Sequence, residues 1–316
     1  MTVTVAYLGP AGTFTEAALW KFHEQTLPDV TVQPLPVDSP AMALDAVRSG
    51  DADYACVAIE NSVDGPVTPT FDALAAAPGV QIYGETDIDI TFAIMMRPGF
   101  DSATIRTFST HPVARQQVAG WVADNLPEVD FIPASSNAAA AQAVAEGRVD
   151  AAAAPERAAD LFNLEVVARN IADVRGAHTR FVLVGRSGVP CPRTGDDRTS
   201  VVFNLPQRPG TLVGALTEFA LRGVDLSRIE SRPTRTNIGT YRFHVDLNGH
   251  IDDAPVAEAI SALYLRCDDL TYLGSWPAAR REGEQARNNT VARIAEAHAW
   301  VERMRRGDIP ERRNPE

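Results

Sequence analysis

Over its first 185 residues the chain alternates short apolar runs with stretches of helical periodicity. Strands separated by helices of this length join through right-handed crossovers, so the pattern demands parallel α/β sheets. The predicted order opens with strand Val3–Leu8, a helix from Phe14 to about Glu24, strand Val30–Leu35, a helix from the Asp38/Ser39 cap to Gly50, strand Tyr54–Ile59 and helix Thr68–Ala76. It continues with strands Val80–Thr86, Ile90–Met96 and Ile105–Ser109, helix Pro112–Asn125 and strand Phe131–Ala134. Helix Asn137–Glu146 and strands Val149–Ala154 and Thr179–Val184 close the region.

Within it the chain echoes itself at an offset of 97, pairing Ser39 with Ser136, Ala46 with Ala143, Val47 with Val144, Gly50 with Gly147 and Asp53 with Asp150. Each copy reads as a capped helix, a glycine at the helix C-terminus and a strand. Two readings stand: coincidence in an alanine-rich chain, or two similar α/β lobes with a cleft at the carboxyl ends of their strands, where small ligands bind.

Residues 185–198, rich in Gly, Pro and Asp without periodicity, read as a linker between a first region, 1–184, and a second, 199–276. The second runs strand Thr199–Leu205, helix Gly210–Arg222, strands Leu226–Arg232 and Thr240–Leu247, helix Asp253–Arg266 and strand Leu270–Gly274. This βαββαβ order is the ferredoxin-like plan. In the tail, 277–316, Val291, Ile294, Ala295, His298 and Val301 recur at helical spacing.

The net charge of −12 argues against nucleic acid and anionic membranes as partners. Lys21 is the single lysine among 29 basic side chains, so an anion held by a side chain here meets arginine. Cys56, Cys191 and Cys267 are odd in number and lack C-x-x-C spacing, and the first strand follows Met1 without a basic and apolar leader. The expectation is a soluble cytoplasmic protein without disulfides or a metal site.

Three segments fall where strands run out, and a fourth opens a strand. Gly9-Pro-Ala-Gly-Thr13-Phe-Thr-Glu16 joins the first strand to the first helix. Its Thr13/Glu16 capping box and its glycines, with Gly12 beside Thr13 and Phe14, leave amides free to meet a carboxylate or phosphate. A Walker lysine and G-x-G-x-x-G spacing are both missing, which disfavours nucleotides. Glu60-Asn61-Ser62 follows the third strand and offers three polar side chains. Ser109-Thr-His111-Pro112 opens a helix, with His111 either a binding or acid/base residue or a polar cap. Thr179-Arg180-Phe181 opens the last strand, and Arg180 carries a planar fork suited to a carboxylate. Each segment alone also fits an ordinary cap, loop or strand start.

Together, in this order, these four closely resemble the prephenate dehydratase family. Arg208-Pro-Gly-Thr-Leu212, Gly214-Ala-Leu216 and Ile229-Glu-Ser-Arg-Pro233 are similar to the ACT regulatory domain of the same family. The resemblance spans residues 3 to about 276. One departure is Ala177, where the family often carries asparagine.

The resemblance implies a fold like that of type II periplasmic binding proteins and a hydro-lyase, free of cofactors, that converts prephenate to phenylpyruvate, carbon dioxide and water. It implies that Thr179 donates to the leaving hydroxyl, directly or through a relay for which Glu60 is the nearest titratable group, and that Arg180 holds a carboxylate. Gly12, Thr13, Phe14, Asn61, Ser62, His111 and Phe181 would line the substrate site. L-Phenylalanine, the pathway end product, would act as allosteric effector at Pro209, Gly210, Thr211, Leu212, Glu230, Ser231 and Arg232, in a homodimer or homotetramer. Arogenate as substrate, or a non-catalytic sensor on the same folds, are the alternatives.

Overall fold

The computed structural model describes residues 1–234, 240–279 and 284–307, with side chains of the last segment described from 295 onward. The chain divides into two compact units, Met1–Val80 with Gly84–Ser187, and Gln81–Tyr83 with Gly188–Glu316.

The first unit contains two sheets. One comprises β1 (Thr2–Leu8), β2 (Thr31–Val37), β3 (Tyr54–Asn61), the short β4 (Gly65–Pro66), β5 (Val80–Asp89) and β11 (His178–Arg186). The other comprises β6 (Ala93–Met96), β7 (Thr107–Thr110), β8 (Asp130–Pro133), β9 (Ala151–Ala154) and β10 (Glu165–Ala168). The first is ordered β2-β1-β3-β11-β5, the second β8-β7-β9-β6-β10. β1 lies between β2 and β3, and β7 between β8 and β9, each paired in parallel with both neighbours, and a strand arriving from the other lobe, β11 or β6, adds antiparallel to β3 or β9. The two lobes therefore share one topology, and the echo at offset 97 is structural.

The echoed residues do the same work twice. Ser39 caps α2 (Pro40–Ser49) by accepting from the Met42 amide, and Ser136 caps α6 (Asn137–Ala145) by accepting from Ala139. Gly50 and Gly147 both take positive φ, 88° and 73°, where the chain leaves the helix. Asp53 accepts from the Thr4 amide at 2.8 Å, while Asp150 accepts from the amides of Arg106 and Thr107, both at 3.0 Å. Each aspartate thus pins the start of the equivalent strand, β1 in one lobe and β7 in the other. Burial alone would raise the Asp150 pKa, but these amides and the Thr107 hydroxyl hold it below the usual carboxylate range.

Helix α1 (Phe14–Thr26) packs Ala18, Leu19 and Phe22 over Val5, Tyr7, Phe181 and Leu183, while α3 (Thr68–Ala76) buries Phe71 and Leu74. One face of the second-lobe sheet is built instead from alanine, with β9 (Ala151–Ala154) against Ala140, Ala141 and Ala143 of α6, while its other face packs Ile94, Met96, Phe108, Val118 and Val122.

Elsewhere the second lobe differs from the sequence reading. The helix expected over Pro112–Asn125 is two helices, α4 (Pro112–Gln117) and α5 (Ala119–Asn125), broken at Val118. Asp173 causes the break: its amide takes the Gln117 carbonyl at 2.7 Å, and its carboxylate accepts from the Gly120 amide at 3.1 Å, which caps the second piece. Helix α7 (Arg157–Phe162) and strand β10 went unpredicted.

In the second unit, β12 (Asp197–Asn204), β13 (Leu226–Pro233), β14 (Tyr241–Asn248) and β15 (Asp269–Pro277) form an antiparallel sheet ordered β13-β14-β12-β15. Helices α8 (Thr211–Leu221) and α9 (Ala254–Tyr264) cover one face, where Phe203, Phe219, Val245, Leu247 and Leu263 form the core. This is the βαββαβ plan. Asp197 accepts from the amides of Thr194 and Gly195 and from the Thr194 hydroxyl, which fixes the approach to β12. On α8, Glu218 binds both Arg222 and Arg266, and these hydrogen bonds lower its pKa. Helix α10 (Glu284–Arg305) includes Ala295, His298 and Val301; the side chains of Val291 and Ile294 lie outside the described residues. Among the described residues, no helix is long and apolar enough to cross a membrane.

Candidate active site

The candidate residues gather where the strands of the two lobes run out. In the first lobe β3 ends at Glu60 and Asn61, opposite Arg180 and Thr179 on β11. A bulge leaves Ile59 unopposed, so β11 keeps a regular alternation while β3 shifts by one residue. Thr179, Phe181 and Leu183 consequently share the face covered by α1, and Arg180 points to the opposite face.

Asn61 organises the Thr179 side. Its Oδ1 accepts from the amides of Val63 at 2.8 Å and Asp64 at 3.0 Å, which fixes the orientation of the side-chain amide. Its Nδ2 therefore faces Thr179 and donates to Oγ1 at 2.8 Å. Because Oγ1 accepts this bond, the Thr179 hydroxyl keeps its own proton for another acceptor. Ser62 extends the ladder past the strand, its Oγ accepting from the His178 amide and its amide donating to the His178 carbonyl, both at 2.9 Å.

Arg180 stands between two carboxylates, Glu60 at 3.2 Å and Glu85 at 3.5 Å. The Glu85 side chain is 1% exposed and that of Glu60 is 43% exposed, so one partner is buried and the other reaches solvent. Phe181, expected to line the site, lies instead in the first-lobe core, 2% exposed against Val5, Tyr7 and Leu19. The strand's alternation turns it under α1.

The turn before α1 meets both lobes. Thr13 caps the helix by accepting from the Glu16 amide at 3.3 Å, and Glu16 Oε2 reaches back to accept from the Gly12 amide at 2.7 Å. Gly12 has φ 85°, and a Cβ there would lie 3.2 Å from Leu161 on α7. Phe14 packs edge-on against Phe92, in the segment that crosses between lobes, with ring centroids 5.7 Å apart. Glu16 also pairs with Arg157 at the start of α7, 3.1 Å away. The Tyr7 hydroxyl beneath has its pKa raised by burial and then by Glu16.

The second lobe contributes His111, which caps α4 by accepting from the Val113 amide at Nδ1, 3.3 Å away. That bond places the proton of the neutral ring on Nε2, and burial lowers the His111 pKa. Asn137 steadies the same turn, accepting from the His111 amide at 3.1 Å and the Thr110 hydroxyl at 3.0 Å.

Sequence reasoning missed Gln117. Its Nε2 donates to Asp64 at 2.6 Å, across to the first lobe, while its buried Oε1 has no hydrogen-bond partner among the described residues. A buried glutamine with an unmet acceptor is costly unless something arrives to fill it. The sequence signal was faint, a polar residue on the inward side of the helix opened by His111.

Ala177, at the departure noted above, packs into the second-lobe core. Of the expected effector residues, Pro209 and Thr211 line an open concavity of about 240 Å³ with Leu205, Arg208, Tyr241 and Phe243. Gly210 caps α8 with φ 84°, and Leu212 lies in its first turn. Glu230, Ser231 and Arg232 lie on β13, facing His244, Phe243 and Arg242 of β14. They are not part of that concavity.

Fold and site define a two-lobed α/β enzyme for a small polar substrate, followed by a βαββαβ module. A family model for prephenate dehydratase matches residues 5–188, and one for the ACT domain matches residues 199–263. A prephenate dehydratase of Corynebacterium glutamicum is 56% identical over 298 residues, 94% of this chain and 95% of that protein. The crystal structure of an Arthrobacter aurescens prephenate dehydratase in complex with L-Phe matches with TM-score 0.84 and 42% identity, over 96% of this chain and 100% of that one. A structure described as a novel type of quorum-quenching acylase, GqqA, matches with TM-score 0.76 and 30% identity, over 87% of this chain and 98% of that one. The chain belongs to the prephenate dehydratase family and is a hydro-lyase.

Proposed function

We propose that residues 1–184 carry the conversion of prephenate to phenylpyruvate, with Thr179 as the hydrogen-bond donor to the departing ring hydroxyl. The observation that carries this reading is the Asn61–Thr179 bond, in which the threonine oxygen accepts and its own proton is left for another acceptor. A threonine hydroxyl is too weak an acid to deliver its proton unaided. Its task is to stabilise charge as the carbon–oxygen bond breaks, while loss of carbon dioxide and aromatisation of the ring supply the driving force.

The remaining groups bind and orient. The amides of Thr13 and Phe14 take one carboxylate at the N-terminus of α1, in a turn whose Gly12 amide is held by Glu16. Arg180 takes the other by exchange with Glu60, which is the solvent-reaching partner, while Glu85 stays in place. His111 Nε2–H and Gln117 Oε1 offer a donor and an acceptor from the opposite lobe. Glu60, bound to Arg180 on the other face of β11 from Thr179, acts through the arginine rather than as a relay to the hydroxyl.

Replacing Thr179 with alanine should lower turnover by about 10²-fold or more, with the Michaelis constant within a few-fold. Turnover near that of the unaltered enzyme, in a folded protein, refutes the assignment.

We assign effector binding to residues 199–276, with L-phenylalanine held in the concavity beside Pro209 and Thr211. Half-exposed Ile229 and Tyr241 along the β13 side of the sheet support pairing with a second copy. The three free thiols fit a cytoplasmic setting.

A further inference from the structure

β3 and β9 occupy the same topological position in the two sheets but run out differently. In the first lobe β3 ends in Glu60-Asn61-Ser62, and in the second β9 passes through Pro155 and Glu156 directly into α7, whose first residue is Arg157. Arg157 crosses to the first lobe and meets Glu16, which holds the Gly12 amide with the same oxygen. Glu16 belongs to α1, and α1 covers the face of the first sheet on which Thr179 lies. Arg180 is on the other face, already set between two carboxylates.

Glu16 poses an electrostatic problem. Its carboxylate shapes the turn that presents amides to an anion, yet its own charge repels that anion. The side chain is 10% exposed, so solvent screens it poorly. Arg157, 40% exposed, is the cation that offsets it. We propose that Arg157 is a specificity-determining residue, whose charge on the Thr179 side of the cleft selects the doubly charged substrate over singly charged acids of the same shape. This rests on the reading that prephenate is the substrate of this cleft.

Kinetics with the full chain test it, using prephenate as substrate and the monocarboxylate product phenylpyruvate as competitive inhibitor. Arg157→Gln removes the charge and should raise the Michaelis constant for prephenate about tenfold, the inhibition constant of phenylpyruvate about threefold, and leave kcat within about twofold. Arg157→Lys should recover most of the loss.

Glu16→Gln also breaks the ion pair but keeps an oxygen for the Gly12 amide. It should leave the Michaelis constant for prephenate unchanged or lower it. A pair that merely braces the lobes makes Arg157→Gln and Glu16→Gln fail alike, with equal losses for both ligands and a lowered Tm; that result overturns the proposal. So does an Arg157→Gln enzyme whose constants match the unaltered one. If the unaltered enzyme releases no phenylpyruvate from prephenate, the substrate reading fails instead, and the two failures are distinct.

Discussion

The two lobes of the first unit are one topology executed in two kinds of residue. The first fills the space under α1 with Tyr7, Leu19, Phe22 and Phe181, whereas on one face of its sheet the second brings an alanine helix against an alanine strand. Small side chains let backbones approach closely, so this face of the second lobe depends on nothing larger being admitted. The first lobe's core depends on nothing being removed. Chemistry follows the same division: Thr179 and Asn61 bond to each other and leave a proton to spare, while Thr110 of the second lobe spends its hydroxyl on the Ala153 carbonyl and Asn137.

The widest contrast comes from making the same change in both lobes. Thr179→Val should cut turnover by about 10²- to 10⁴-fold with little change in stability, whereas Thr110→Val should cost about 1–3 kcal/mol of stability by stranding a buried acceptor. Steady-state kinetics beside thermal melting reads both. If Thr110→Val abolishes turnover in a protein of unchanged Tm, the division of labour between the lobes is wrong.

Core substitutions should come next, and with opposite signs of volume. Phe22→Ala should cost about 3–5 kcal/mol by opening a cavity, and Ala141→Leu about 1–3 kcal/mol by overpacking, as measured by denaturant unfolding. A tolerated Ala141→Leu would show the alanine interface to be looser than its burial implies.

The paired aspartates sharpen the comparison through pH. Asp150 ionises more readily in the folded state than in the unfolded chain, so its contribution is present above about pH 3.9 and is lost as pH falls through its lowered pKa. Asp150→Asn should lower stability near neutrality and flatten its decline in acid, and melting curves between pH 3 and 7 measure this. The smallest effect belongs to the second unit, where the Glu218 pKa is likewise lowered by its two arginines. Glu218→Gln should blunt acid sensitivity below about pH 4.3 and leave turnover unaltered.

Much of this plan was legible in the sequence because it is local. Ser39, Ser136, Gly50 and Gly147 announce helix ends by residue type alone, and Thr13-x-x-Glu16 announces a capping box. The polar loop at 60–62 and the Thr179-Arg180 pair stand at strand ends wherever the strands are drawn. What could not be read depends on partners remote in the chain. The break at Val118 is made by Asp173, and the burial of Phe181 follows from the alternation set by the pairing of β11. The charges around Arg180 come from two separate strands. Helix α7 is short and alanine-rich, carries no side-chain cap, and owes its importance to a glutamate in the other lobe.

The return of β11 to the middle of the first sheet also fixes when the enzyme can come into being. The Asn61–Thr179 bond joins residues 118 apart in sequence, and the strand that makes it is inserted between β3 and β5, both synthesised long before it. Until the whole second lobe has left the ribosome, the first sheet lacks an interior strand and Asn61 lacks Thr179. Closure of so distant a contact is slow, because the entropy of the intervening loop is lost before the contact rewards it. A nascent chain is therefore inert until this domain is complete, and activity reports the final act of its folding.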